Sequence, residues 1–164
     1  MKTMFLMGAA GVLAWCLCVA HALAMSHGPI RLDIKQVDGK PAACLPMSDD
    51  LGSDPIQIHG VGVSRATGAV SPDVIYWDME VPASAQPVYL KRGECLVYGQ
   101  NVAGAVAYTQ PKTLDIDKFY GFSIIPGGDY GPVYSSVFCV LKQADGGVRI
   151  IQPTKGQHQC PSDP

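Results

Sequence analysis

Charge is scarce in this chain and neither sign prevails. Of 164 residues only 16% are charged, 12 basic against 14 acidic. The basic residues are scattered, with Lys91-Arg92 the one adjacent pair. The stripe of cations that a phosphate backbone requires is therefore missing, and nucleic acid is not an expected partner. Asparagine is almost absent too: Asn101 stands alone before Val102-Ala103, so there is no glycosylation sequon. Nor is there a G-x-S-x-G elbow, an H-E-x-x-H zinc helix, a Gly-Lys-Ser phosphate loop or a dinucleotide fingerprint. The expectation is a non-enzyme without a cofactor. His59 falls in an alternating stretch, which points to a surface position rather than a general base.

Long apolar runs are confined to the N-terminus. Lys2, the apolar stretch Met4 to Ala20 and Ala22-Leu23-Ala24 form the pattern of a cleaved signal peptide over residues 1–24. The mature chain then begins near Met25 in the periplasm. The rival reading is a retained membrane anchor, but His21 interrupts a run that is short of the roughly 20 apolar residues a span needs. Lipidation at Cys16 or Cys18 lacks its small preceding residue, since Trp15 and Leu17 stand there. No later segment is apolar enough for a transmembrane span. Cleavage after Ala24 would place His27 third, behind Met25-Ser26. An amine, two backbone nitrogens and an imidazole could then enclose Cu(II) or Ni(II) in a square plane. The plainer reading of His27 is an incidental histidine at a chain end, with no metal site.

What the remainder lacks is room for a helix. All thirteen prolines lie beyond the leader, and the longest later stretch free of proline and glycine is Val133 to Asp145. Short strands joined by turns are expected instead. Pro29 to Val37 alternates, Asp38-Gly39 is a hairpin turn and Ala42 to Met47 returns. Ile56 to Ser64, Val74 to Val81, Val88 to Leu90, Glu94 to Tyr98, Phe119 to Ile125, Val133 to Lys142 and Val148 to Gln152 follow. The run Val137-Phe138-Cys139-Val140-Leu141 reads as a central strand buried on both faces. The fold class is all-β: one immunoglobulin/fibronectin-III-like β-sandwich of seven or eight strands over residues 25–152, with a polar tail over 153–164. Leu114 and Tyr120 stand six apart and resemble a tyrosine corner, in which a hydroxyl bonds back to the preceding turn.

Four cysteines remain after the leader: Cys44, Cys95, Cys139 and Cys160. Without a C-x-x-C pair or clustered histidines they read as two disulfides, with three connectivities open. Cys160, alone in the tail, is best explained by a bridge to the body. Asp49, Asp50 and Asp54 lack the spacing of a calcium loop and read as a solvated acidic turn.

Three segments carry a resemblance. Ala43-Cys44-Leu45-Pro46, then Leu90-Lys91-Arg92-Gly93-Glu94-Cys95-Leu96-Val97-Tyr98-Gly99, then Tyr134-Ser135-Ser136-Val137-Phe138-Cys139-Val140-Leu141 look like the small periplasmic immunity proteins associated with bacterial type VI secretion. The likeness spans roughly residues 30 to 152, including the polar hairpin at Asp145-Gly146-Gly147. Members are usually lipoproteins, whereas this chain has no lipobox. The resemblance implies a protein that binds and neutralises a secreted toxin or effector protein.

Partner contacts are then sought in loops, which a rigid sandwich displays at low entropic cost. Gln100 to Asp117 reads as a long structureless segment with Tyr108 as an aromatic anchor. Asp115 and Asp117 in that segment are further candidate contacts, projecting the same way at the start of the next strand. Pro126 to Pro132 is the second loop, with Asp129 and Tyr130. Two other classes stand beside this one. A carbohydrate- or peptide-binding module would line one face with Tyr76, Trp77 and Tyr89, although Trp77 also reads as core. A structural envelope protein would need an open strand edge.

Overall fold

Alternating runs become strands, and Pro and Gly set their ends. The computed structural model describes residues 28–65, 73–128, 131–154, 157 and 160–161. The strands are β1 (Ile30–Arg31), β2 (Asp33–Val37), β3 (Lys40–Cys44), β4 (Ile56–Arg65), β5 (Val74–Glu80), β6 (Val88–Leu90), β7 (Cys95–Val97), β8 (Val106–Thr109), β9 (Lys118–Pro126), β10 (Tyr134–Lys142) and β11 (Val148–Ile151). The larger sheet runs β1-β10-β9-β4-β5-β8, with β11 also on β10 and β6 also on β4. The smaller runs β2-β3-β7. Packed face to face they form the expected immunoglobulin-like sandwich, bonded by two disulfides. The segments number eleven partly because the first run divides and partly because β8 forms inside a stretch read as loop.

The division falls at Leu32. Before it, β1 pairs in parallel with β10; after it, β2 pairs with β3 in the other sheet. The Leu32 side chain is wholly buried at the crossing. Its carbonyl accepts from Ser136 Oγ at 2.6 Å and Gln152 Nε2 at 2.7 Å, so the backbone groups released by changing sheets are satisfied.

Inward residues meet between the sheets. Val61 and Val63 of β4, Trp77 and Met79 of β5, Leu96 of β7, Tyr120, Phe122 and Ile124 of β9, and Phe138 and Val140 of β10 are buried in one cluster. Trp77 meets Tyr98 and Phe122 edge-on, at 5.5 and 6.0 Å between ring centroids. Full burial of such side chains contributes about 1.5–3 kcal/mol apiece. Asp38 and Gly39 both have positive φ, 48° and 75°, as a two-residue hairpin turn requires.

One disulfide links Cys44 to Cys95, directly opposite residues of β3 and β7, and the other links Cys139 of β10 to Cys160. The tail is thus tied to the body, as the position of Cys160 led one to expect. The tyrosine corner is also present. The Asp115 N–H donates to Tyr120 Oη at 2.7 Å, while the Tyr120 ring stacks on Phe138. Residues 1–27, which include the segment expected to be a leader and His27, lie outside the described residues. No helix among the described residues is long and apolar enough to cross a membrane.

Candidate functional site

The end of the sandwich where β3 leads into β4 gathers three connections: residues 45–55, the β6–β7 turn and the β9–β10 connection. The sequence fastens the first to the second. Leu45 N–H donates to Glu94 O at 3.0 Å, and Gly93 N–H returns to Leu45 O at 3.1 Å. Arg92 then reaches inward. Its Nη1 donates to Asp49 Oδ2 at 2.5 Å and its Nε to Asp54 O at 2.8 Å. Tyr134, at the start of β10, donates its hydroxyl to Asp49 Oδ2 at 2.7 Å, and its ring lies under the guanidinium. The Leu51 N–H closes the carboxylate from the other side, at 2.8 Å to Oδ1.

Only 7% of each side chain, Arg92 and Asp49, is exposed. Burial opposes the Asp49 charge, but hydrogen bonds from Tyr134, Arg92 and the Leu51 amide outweigh it and hold the carboxyl below its ordinary 3.8. Burial likewise opposes the guanidinium charge, and the bond to Asp49 raises its pKa regardless. The solvated acidic turn expected for Asp49, Asp50 and Asp54 holds for Asp50 and Asp54, which are exposed, and is corrected for Asp49, which is the centre of a clamp. Sequence reasoning missed the clamp because Arg92 and Asp49 are 43 positions apart and neither sits in a motif.

The clamp holds its loop with apolar side chains turned out. Met47 is 74% exposed and Leu51 53%. Gly93, with φ of 79°, lies under the Met47 thioether, and a Cβ there would meet Sδ at 2.8 Å. Leu51 lies against Gly131, at the close of the β9–β10 connection. The candidates Asp129 and Tyr130 belong to that connection but lie outside the described residues.

Tyr108 lies elsewhere. Its segment is not structureless: β8 pairs with β5 and forms one margin of the larger sheet. Thr109 opposes Asp78 and Ala107 opposes Met79, which leaves Tyr108 as the extra residue of a bulge. A bulge re-aims side chains and spoils an edge for further pairing. The phenol is 64% exposed and donates to Glu80 Oε2 at 3.2 Å. The Glu80 carboxylate raises its pKa.

Asp115 is tied into the fold although its carboxylate stays half-exposed, and exposed Asp117 is engaged through its backbone. Asp115 Oδ2 accepts from the Tyr76 hydroxyl at 2.5 Å and pairs with Arg65 Nη1 at 2.8 Å, beside the tyrosine corner. Asp117 takes the left-handed conformation, φ 58°, and donates its N–H to Val140 O. Asp tolerates that backbone better than most side chains. Of the three aromatics considered for carbohydrate, Tyr76 and Trp77 are buried and Tyr89 alone is exposed. His59 is half-exposed, with Nε2 3.7 Å from Glu80. Among the described residues no three of His, Cys, Asp and Glu come together as a metal site. No protein-family model, curated protein or solved structure matches the chain.

Proposed function

We propose that this is a periplasmic immunity protein, which binds and neutralises a secreted antibacterial toxin through the loop end described above. The observation that carries the reading is the clamp itself. The Arg92–Asp49–Tyr134 cluster holds a loop whose outward residues, Met47 and Leu51, rest on Gly93 and Gly131 and still leave most of their apolar surface exposed. A loop fixed before contact loses less entropy on association, so its apolar tips are effective anchors. Two disulfides fit an oxidising compartment. The three cysteine-bearing segments that resemble the immunity family supply the partner class.

Catalysis has no comparable support. The carbohydrate reading loses its aromatic platform with Tyr76 and Trp77 in the core. An envelope role built on strand exchange is weakened by the bulge that interrupts the open margin at Tyr108.

The test is protection. Any candidate toxin encoded beside this gene is directed to the periplasm of a sensitive strain, alone and with this protein. Growth should be restored by the wild-type chain and lost with Leu51→Asp, provided both are secreted to the same level. Failure of any co-encoded toxin to bind the wild-type chain would end the immunity reading.

A further inference from the structure

The opposite end of the sandwich holds a second feature, independent of the toxin reading. Where the β2–β3 turn approaches Pro111 to Leu114, a cleft of about 380 Å³ opens between the sheets. Tyr98, Val140 and Ile150, all buried members of the core, form its floor. Leu114 and Val148, only partly buried, form its apolar walls. The cleft is widely open to solvent, with the edge of the core at its base.

Its buried polar atom, the Tyr98 hydroxyl, is engaged. The Tyr98 hydroxyl donates toward Lys112 O at 2.8 Å and Tyr76 O at 3.0 Å, so the ring faces the cleft without an unmet bond. Gly99, with φ of 76°, lets Pro111 close in, since a Cβ there would lie 3.1 Å from Pro111 Cγ. The charged residues lining the cleft are Lys40 and Lys112, and no acidic residue joins them. Lys112 Nζ is held by Ile75 O at 2.8 Å. Lys40, exposed at the turn, takes part in no ion pair among the described residues.

We infer that this cleft binds a free single-chain amphipathic anion, with its acyl tail against Pro111, Leu114 and Val148 above the core floor and its carboxylate at Lys40. The volume lies near the lower bound of small-molecule sites, which fits one short chain. The apolar floor favours a tail without polar groups, and a mouth lined by cations alone selects the anion.

Decanoate and decanol, titrated calorimetrically into the secreted full-length protein, are the probes. Wild type should bind decanoate saturably at one site. Val148→Trp and Thr113→Trp, which fill the cleft from a strand and from its exposed rim, should each weaken binding by about ten-fold, and thermal unfolding identifies a variant that has lost its fold. Lys40→Glu should weaken decanoate about five-fold and leave decanol unchanged. No saturable decanoate binding, or equal binding by both filled variants, overturns the site. Equal affinity for decanol and decanoate overturns the assignment of the anion. Vesicles of anionic phospholipid are the last arm: binding to them without binding to free decanoate would assign the chemistry to a membrane surface and overturn the free ligand.

Discussion

The two ends of this sandwich are fastened by different chemistry. At the loop end a carboxylate and a guanidinium, largely shielded by their neighbours, hold three connections through Asp49, Arg92 and Tyr134. At the corner end phenol hydroxyls do the fastening. Tyr120 meets the Asp115 amide, Tyr98 reaches the carbonyls of Lys112 and Tyr76, and Tyr76 reaches an Asp115 carboxylate that remains half-exposed. A buried ion pair has little net value over an apolar filling, yet breaking it strands a charge. A neutral hydroxyl bond is lost more cheaply. The loop end is thus held in one geometry at the risk of a large penalty, which suits a surface that must be fixed before it meets a partner. The corner end tolerates imperfection, which suits a place that only closes the fold.

The largest expected effect tests the costlier end. Arg92→Ala leaves Asp49 buried without its cation and should destabilise the protein by about 3 kcal/mol in urea unfolding. The pair Arg92→Met with Asp49→Leu removes both charges and should recover much of that loss. If the double variant is no better than the single one, the clamp acts through geometry alone and the comparison breaks.

Proton titration should separate the ends without mutation. The folded-state pKa of Asp49 is depressed, so its contribution is complete above the unfolded value of 3.8 and is lost as pH falls through the lower folded value. Burial pushes the Tyr98 hydroxyl up to about 12. Its contribution is complete below the unfolded value of 10.0 and is lost as pH rises toward 12. Amide exchange should therefore loosen residues 45–55 first in acid, whereas in alkali ionisation of Tyr98 loosens the segment 111–117 and that of Tyr134, whose pKa burial also raises, loosens the loop end as well. Simultaneous opening of both on the acid side would contradict the distinction.

A smaller effect belongs to the corner. Tyr120→Phe keeps the stacked ring and removes the acceptor of the Asp115 amide, which should lower stability by about 1 kcal/mol. A loss matching that of Arg92→Ala would show the two ends to be equally dependent on their polar bonds.

The corner end was legible in the sequence and the loop end was not, for a physical reason. Leu114, Tyr120 and the alternation after it are local, and local spacing announces a strand with its preceding turn. The Asp38-Gly39 hairpin and the tethered Cys160 are legible in the same way, one from the φ values the turn demands and one from a cysteine with no strand of its own. Arg92 and Asp49 meet only because two connections fold over Tyr134, and no spacing encodes that. β8 was hidden because Val106–Thr109 is four residues long, lies between Gly104 and Pro111, and becomes a strand only on β5. Exposure of Met47 and Leu51 is equally non-local, so the sequence pointed to Tyr108 and passed over them.

The central claim is that the clamped loop end is the surface that meets the toxin. Calorimetric titration of the toxin into wild type, Leu51→Asp and Val148→Trp tests it most directly. Leu51→Asp should weaken binding by at least about ten-fold, corresponding to about 1.4 kcal/mol, at unchanged melting temperature. Val148→Trp, at the opposite end, should bind as the wild type does. Wild-type affinity in Leu51→Asp, or a loss confined to Val148→Trp, would contradict it.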